Sequence, residues 1–510
     1  MHIIQAEKGD REKLWTRVRR AKGDTMKETA KGMKDLTKGS PFKLILFFAL
    51  PVFLGCVFQQ LYNMADTIIV GNTIGPDAFT GVGLTGSITF LVIGSMNGLT
   101  SGFSVKVAQA FGSGDEERVR RAVGMSYLLS ILVAVVVTAV AVPLTGVLLN
   151  LMQTPAMYYD YAYNYLFVIF CGIPATVFYN IVAGMVRAVG DSKTPLYFLI
   201  CSAFLNIGLD FLFILVFKMF YTGAALATVL SQFVSGLGCL IFALHRYPLL
   251  RPGKSDFKWD FRLAGGHFAQ GLPMALQFSI TAIGCMVQQT ALNGLDAALP
   301  GVVTAYTAAS KIDGIATQTF VALGTAMATF AGQNYGAGEY GRIRQGVKVG
   351  MLYSAVSVGI AFIFDVGLCE PLMRLFLNTD LSSNVAAHYD EVIAYGRQYL
   401  LWQCSFYIFL GAIYVFRNTL QGIGRSFVTT FAGVTELAGR IIASLLFVQL
   451  WGFTGICSSN PAAWVAAVFF LVTTYIVCMR KVEKGETAAR EPRRGLHLRR
   501  RAVVKNEKVS

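Results

Sequence analysis

Asp66, Asn206, Asp210 and Thr228 are the side chains whose types and placement allow chemistry inside an apolar segment. An ionisable group within a membrane span is costly unless paired or hydrated, so each such residue marks a functional candidate. Asn206 and Asp210 stand four apart in LNIGLDFLF, on one face of a helix. Asp66, Asp210 and Thr228 each fall about five to seven residues below the outer end of a predicted span. At about 1.5 Å per residue they share nearly one depth, with Asn206 one turn deeper. Two carboxylates, an amide and a hydroxyl form an all-oxygen donor set that suits a hard cation such as Na+. The same set suits a proton, since two close carboxylates in low dielectric do not both stay ionised. The alternative is that these groups only hydrogen-bond one helix to another.

The second half of the chain is built differently. Counting fifteen residues on from Pro51 reaches Asp66, and the same count from Pro273 reaches Gln288. Lys311, Asp313, Glu436 and Arg440 are the candidate charges read within its spans. Glu436 and Arg440 are spaced for an intrahelical ion pair. Gln59, Gln288, Lys311 and Asp313 are the residues expected to border a cavity and meet cargo. Pro51 is expected to weaken or bend the first span, as a hinge or as a static kink.

Other chemistry is missing. There is no GxxxxGK[ST] phosphate loop, no HExxH and no CxxC, so neither an ATP-driven engine nor a metal centre nor a cofactor is expected. The nine cysteines are read as small hydrophobes rather than a disulfide framework. Energy must then come from an ion gradient, with H+ or Na+ as the coupling ion.

The elements that must position these residues are apolar helices. Hydrophobic residues make up 54 % of the 510, charged residues 14 %, and the mean hydropathy is +0.54. Such a chain is a polytopic membrane protein, which excludes a large soluble catalytic head. The net charge of +15 does not form a nucleic-acid footprint, because Lys and Arg gather at the two ends. Apolar runs bounded by Gly, Pro or charge give twelve spans, at 44–69, 78–104, 122–146, 161–186, 195–217, 222–245, 267–292, 302–331, 346–368, 393–416, 427–449 and 461–479. With the N-terminus inside, only Lys218 and Arg374 of the 44 Lys and Arg fall in outer loops, and Lys311, Arg397 and Arg440 fall within spans. Both termini are therefore expected to be cytoplasmic, in a cell membrane.

The chain also repeats itself. QAFGSGDEERVR (109–120) and QNYGAGEYGRIR (333–344) share Gln, two Gly and two Arg at identical spacing. The expected fold is all-α: twelve helices in two six-helix bundles related by an axis along the membrane normal. The expected layout is a basic tail over 1–43, disordered for lack of apolar residues, then lobes at 44–245 and 267–479. A Pro- and Gly-rich linker (246–266) joins them, and a second basic tail follows at 480–510.

These features, with GMVRAVGDSKTP (184–195), LNIGLD (205–210) and GAALAT (223–228), resemble the multidrug and toxic compound extrusion (MATE) family over about 45–480. The resemblance implies a V-shaped cavity between the lobes and export of amphipathic, often cationic compounds in exchange for H+ or Na+. It assigns the cation to Asp66, Asn206, Asp210 and Thr228, with Asp66 and Asp210 as carboxylate ligands of any Na+, and it puts Pro51 among proposed hinges. The acids that some members carry in the seventh and tenth spans are absent, with Gln288 and Gln289 in the seventh. A monomer is expected. The second transporter reading is a lipid-linked oligosaccharide flippase of the same superfamily, which requires more cavity cations than Lys311 and Arg440.

Overall fold

A computed structural model describes residues 33–74, 81–152, 154–295, 298–376 and 389–483; side chains at 64–68, 70–74, 375–376 and 483 fall outside the description. Among the described residues every regular element is helical. The first six predicted spans become α1 (Pro41–Ile74), α2 (Gly86–Gly112), α3 (Glu116–Leu151), α4 with α5 (Ala156–Cys171 and Ile173–Ala188), α6 (Lys193–Asp210) and α7 (Phe220–Arg246). The second six become α8 (Phe261–Asn293), α9 with α10 (Val302–Ala316 and Gln318–Ala337), α11 (Tyr340–Phe362), α13 (Tyr389–Gly422), α14 (Ser426–Ile442) and α15 (Phe453–Glu483); short α12 (Cys369–Phe376) precedes α13. Eleven of these units are long and apolar enough to cross a bilayer, and α4 with α5, bent by 46°, makes the twelfth. The bend falls at Gly172, where Pro174 starts the next helix.

Most helices overrun the apolar segments read from hydropathy. The largest shift is in α2, which begins at Gly86 rather than near 78 and runs to Gly112. Its last turn thus takes in the start of the repeated segment. The matching turn of α10 runs to Ala337. Asp115 then caps α3 by accepting from the Arg118 backbone N–H.

Three helices end in π-helical turns: residues 211–216 after α6, 363–367 after α11 and 443–447 after α14. Such widened turns are frequent at functional sites. Here one directly follows Asp210 and another contains Asp365.

The two halves meet along α2 and α8, whose backbones touch around Gly102 and Gly271. Small residues allow this approach, which is how helices associate where lipid removes the hydrophobic drive. Residues 33–40 correct the expectation of a disordered tail reaching 43. Leu36 is buried, its N–H donates to Gln333 Oε1 at 2.9 Å, and Arg342 donates to the carbonyls of Leu36 and Gly39. This segment seals the seam between the halves on the face where both ends of the described chain lie.

Candidate functional site

The first-half polar cluster is built by α6 and α7. Asn206 and Asp210 are both fully buried on α6. Asn206 Nδ2 donates to Thr228 Oγ1 of α7 at 3.4 Å, and Thr228 donates on to the Ala224 carbonyl at 3.1 Å. Asn206 Oδ1 has no hydrogen-bond partner among the described residues. A buried amide oxygen in that condition is costly, and a cation or a proton donor would satisfy it. The structure thus brings Asn206 to Thr228, with Asp210 one turn along the same buried face. Asp66 lies on α1, and its side chain falls outside the described residues.

A separate cavity of about 550 Å³ lies between the halves. It is lined from α1 by Pro51, Gly55 and Gln59, and across it by Phe278, Asn418 and Glu436 among others. Helix α1 runs unbroken through Pro51, which has no N–H to offer the Phe47 carbonyl. A turn later Gly55 packs against Leu196 and Leu199 of α6. One helix therefore touches both the cavity and the helix that carries Asp210.

The cavity wall mixes apolar side chains with amides and hydroxyls. Asn180 donates to Asn97 at 2.5 Å, Thr176 to Gln232 at 2.7 Å and Gln421 to Gln277 at 2.9 Å. Among the described residues its charges are Arg187, Arg417 and Glu436. Arg417 donates to Glu436 at 2.6 Å from another helix, closer than the expected i, i+4 partner Arg440 at 3.5 Å. The Glu436–Arg440 pair exists, but it is the weaker arm of a buried triad.

Gln59 lines this cavity, whereas Gln288, Lys311 and Asp313 do not. Gln288 is buried and turned to the Ile456 carbonyl at 3.4 Å. Lys311 is exposed on α9. Asp313, two residues on, faces inward and accepts from the Tyr407 hydroxyl at 2.5 Å.

That hydroxyl also lies 2.8 Å from Asp365, and Cys404 Sγ lies 3.4 Å from the same carboxylate. One phenolic proton cannot serve two ionised carboxylates at once. Asp365 was missed among the second-half charges, although it stands in plain view within FIFDVG of the ninth predicted span. Arg417 was missed because the tenth predicted span stops at 416, one residue short.

The face with the described chain ends is closed by a symmetric clasp. Gln109 of the first half donates to the Gly422 carbonyl at 2.7 Å, and Gln333 of the second half donates to the Ala188 carbonyl at 2.8 Å. A Cβ on Gly112 would fall 1.9 Å from the Gln333 carbonyl oxygen, and one on Gly336 would fall 2.0 Å from that of Gln109. The Gln and first Gly of the repeated segment are thus the residues that cross between halves. Beside the clasp, Asp191 accepts from Tyr247 at 2.5 Å; burial first, then this carboxylate, push the Tyr247 phenol well above its usual range.

Comparisons with known proteins agree on the family. The MatE family pattern matches residues 51–212 and 273–444, one block in each half. The "Probable multidrug resistance protein YpnP" of Bacillus subtilis is 29 % identical over 76 % of this chain and 84 % of its own length. The "Probable multidrug resistance protein NorM" of Thermotoga maritima is 30 % identical over 66 % and 72 %. A solved outward-facing multidrug resistance MATE transporter superposes with a TM-score of 0.77 at 22 % identity, covering 88 % of this chain and 98 % of that one.

Proposed function

Because this chain belongs to the MatE family, we propose that it is a secondary active antiporter, exporting amphipathic organic compounds in exchange for H+ or Na+. It is a transporter and not an enzyme. The observation that carries the reading is a cavity of about 550 Å³ shared by both halves and sealed at one face, beside a fully buried Asp210. A volume of this size holds a small organic molecule. The multidrug resistance proteins among its relatives speak against a lipid-linked oligosaccharide flippase.

In this reading the lobes are 44–245 and 267–479, with 246–266 joining them on the cytoplasmic side. The Lys and Arg concentrated in the tails and same-side segments support cytoplasmic termini and a cell-membrane location. The clasped face is then cytoplasmic, and the cavity belongs to the state that opens to the other side, where cargo leaves and the coupling ion enters. The protein works as a monomer, each copy holding a complete cavity.

Coupling runs along α6 and α1. H+ or Na+ joins Asp210, Asn206 and Thr228, with Asp66 as the further carboxylate carried over from the resemblance. Charging or neutralising that buried group changes how α6 packs on Gly55 of α1, and Pro51 lets α1 reshape the cavity wall. A ligand shifts such an equilibrium only by its difference in affinity for the two states. One charge crossing about 100 mV supplies about 2.3 kcal/mol, close to fortyfold accumulation.

The test is dye efflux from proteoliposomes under a pH gradient and a Na+ gradient applied separately. Efflux driven by one of them supports the antiport reading and identifies the ion. Efflux indifferent to both removes the coupling.

A further inference from the structure

The cavity described above is electrostatically one-sided. Among its described lining residues Glu436 is the one acid, and it already accepts from Arg417 at 2.6 Å and from Arg440 at 3.5 Å. Arg187 lines the opposite wall, half-buried, within electrostatic reach of Cys56 and Tyr179, and has no ion-pair partner among the described residues. Each half therefore brings one guanidinium to the cavity, and the single carboxylate there pairs with Arg417 and not with Arg187.

A second observation is independent of that count. Arg417 is 7 % exposed, yet its Nε–H has no acceptor. A guanidinium offers five N–H donors in a rigid fork, and a buried one left without an acceptor is costly. An incoming carboxylate, sulfonate or phosphate oxygen would satisfy it, whereas an ammonium would add repulsion. The same cavity is lined by aromatic faces from both halves, including Phe90 and Phe278 with centroids 6.4 Å apart.

We infer that Arg187 and Arg417 form an anion subsite on the cavity wall, so that the preferred cargo is a small anionic or zwitterionic aromatic amphipath. This rests on the export reading and replaces the expectation of cationic cargo. Arg417 supplies an oriented donor held in place by Glu436, and Arg187 supplies the second charge across the cavity. The uncharged amides of Asn97, Asn180, Gln277 and Asn418 accept varied polar groups between them.

The experiment uses the full chain in nanodiscs, with 6-carboxyfluorescein as the anionic probe and rhodamine 6G as the cationic one, read by fluorescence anisotropy and by counterflow. The expected result is saturable carboxyfluorescein binding that weakens as salt rises, with Arg187→Gln weakening it roughly tenfold. Arg187→Lys should recover most of that loss, which a merely structural role would not produce. Arg417→Gln is made together with Glu436→Gln, so that the substitution strands no carboxylate, and it too should weaken carboxyfluorescein. Binding of rhodamine 6G in preference to carboxyfluorescein, or anion binding unchanged in Arg187→Gln, overturns the subsite and leaves export standing. Tight carboxyfluorescein binding with no gradient-driven movement of either dye supports the subsite and overturns the export reading.

Discussion

Gln109 and Gln333, 224 positions apart, make the same bond in opposite directions across the molecule, each donating to a carbonyl at a helix end of the other half. Their acceptors, Gly422 and Ala188, each follow the half-buried or buried side chain, Gln421 or Arg187, that faces the cavity. The seal on one face and the cargo wall are thus built on the same two helix ends.

Gly112→Ala and Gly336→Ala should each prevent the clasp from closing, since the added carbon overlaps a backbone carbonyl oxygen. Overpacking of this kind costs about 1 to 3 kcal/mol. Both variants should unfold at lower temperature in detergent, and a thiol placed at Ser104 in a cysteine-free background should become labelled from the clasped face. Labelling equal to that of the parent would show that the face closes without this contact.

Gln109→Leu and Gln333→Leu should each cost about 1 to 3 kcal/mol, because a buried carbonyl loses its donor. Gln333 should cost more, since its Oε1 also accepts from Leu36. Denaturant titration of the two single variants checks the order, and equal losses would assign no role to residues 33–40 at the seam.

Tyr407→Phe should destabilise the second half by about 1 to 3 kcal/mol, because two buried carboxyl groups lose their shared hydroxyl. Asp365→Asn should cost less, as an amide can still meet the Tyr407 oxygen and one carboxylate is gone. Melting temperatures of the purified variants decide it; a tolerant Tyr407→Phe would mean the two acids do not depend on that hydroxyl.

Tyr247 gives a pH signature outside the spans. Its phenol is raised by burial and by Asp191, so the folded state favours the protonated donor. That stability is fully present below the ordinary tyrosine value of about 10 and is lost as pH rises through the folded value. Melting temperature should therefore fall above about pH 10, and Tyr247→Phe should flatten part of that fall. Identical alkaline slopes in the two proteins would remove the bond from the stability balance.

Much of the architecture was legible because spans and repeats are local or periodic signals. Helix ends were not, since the last turns of α2, α10 and α13 carry Gln and Gly and look like loop. For the same reason the repeated Gln and Gly were visible as a pattern but not as a clasp, whose bonds join residues 313 and 145 positions apart. Asn206, Asp210 and Thr228 could be singled out as candidates from residue type and spacing, whereas the depth count set Thr228 level with Asp210 and its hydrogen bond runs instead to Asn206. The meeting of Asp313, Asp365 and Tyr407 depends on how α9, α11 and α13 pack, and no spacing in the sequence encodes it.

The most direct test of ion-coupled export is the Asp210→Asn chain in proteoliposomes, comparing gradient-driven dye efflux with dye counterflow at zero gradient. Counterflow should survive while the response to the H+ or Na+ gradient disappears. Full gradient-driven efflux in Asp210→Asn would contradict it and move the coupling ion to another site.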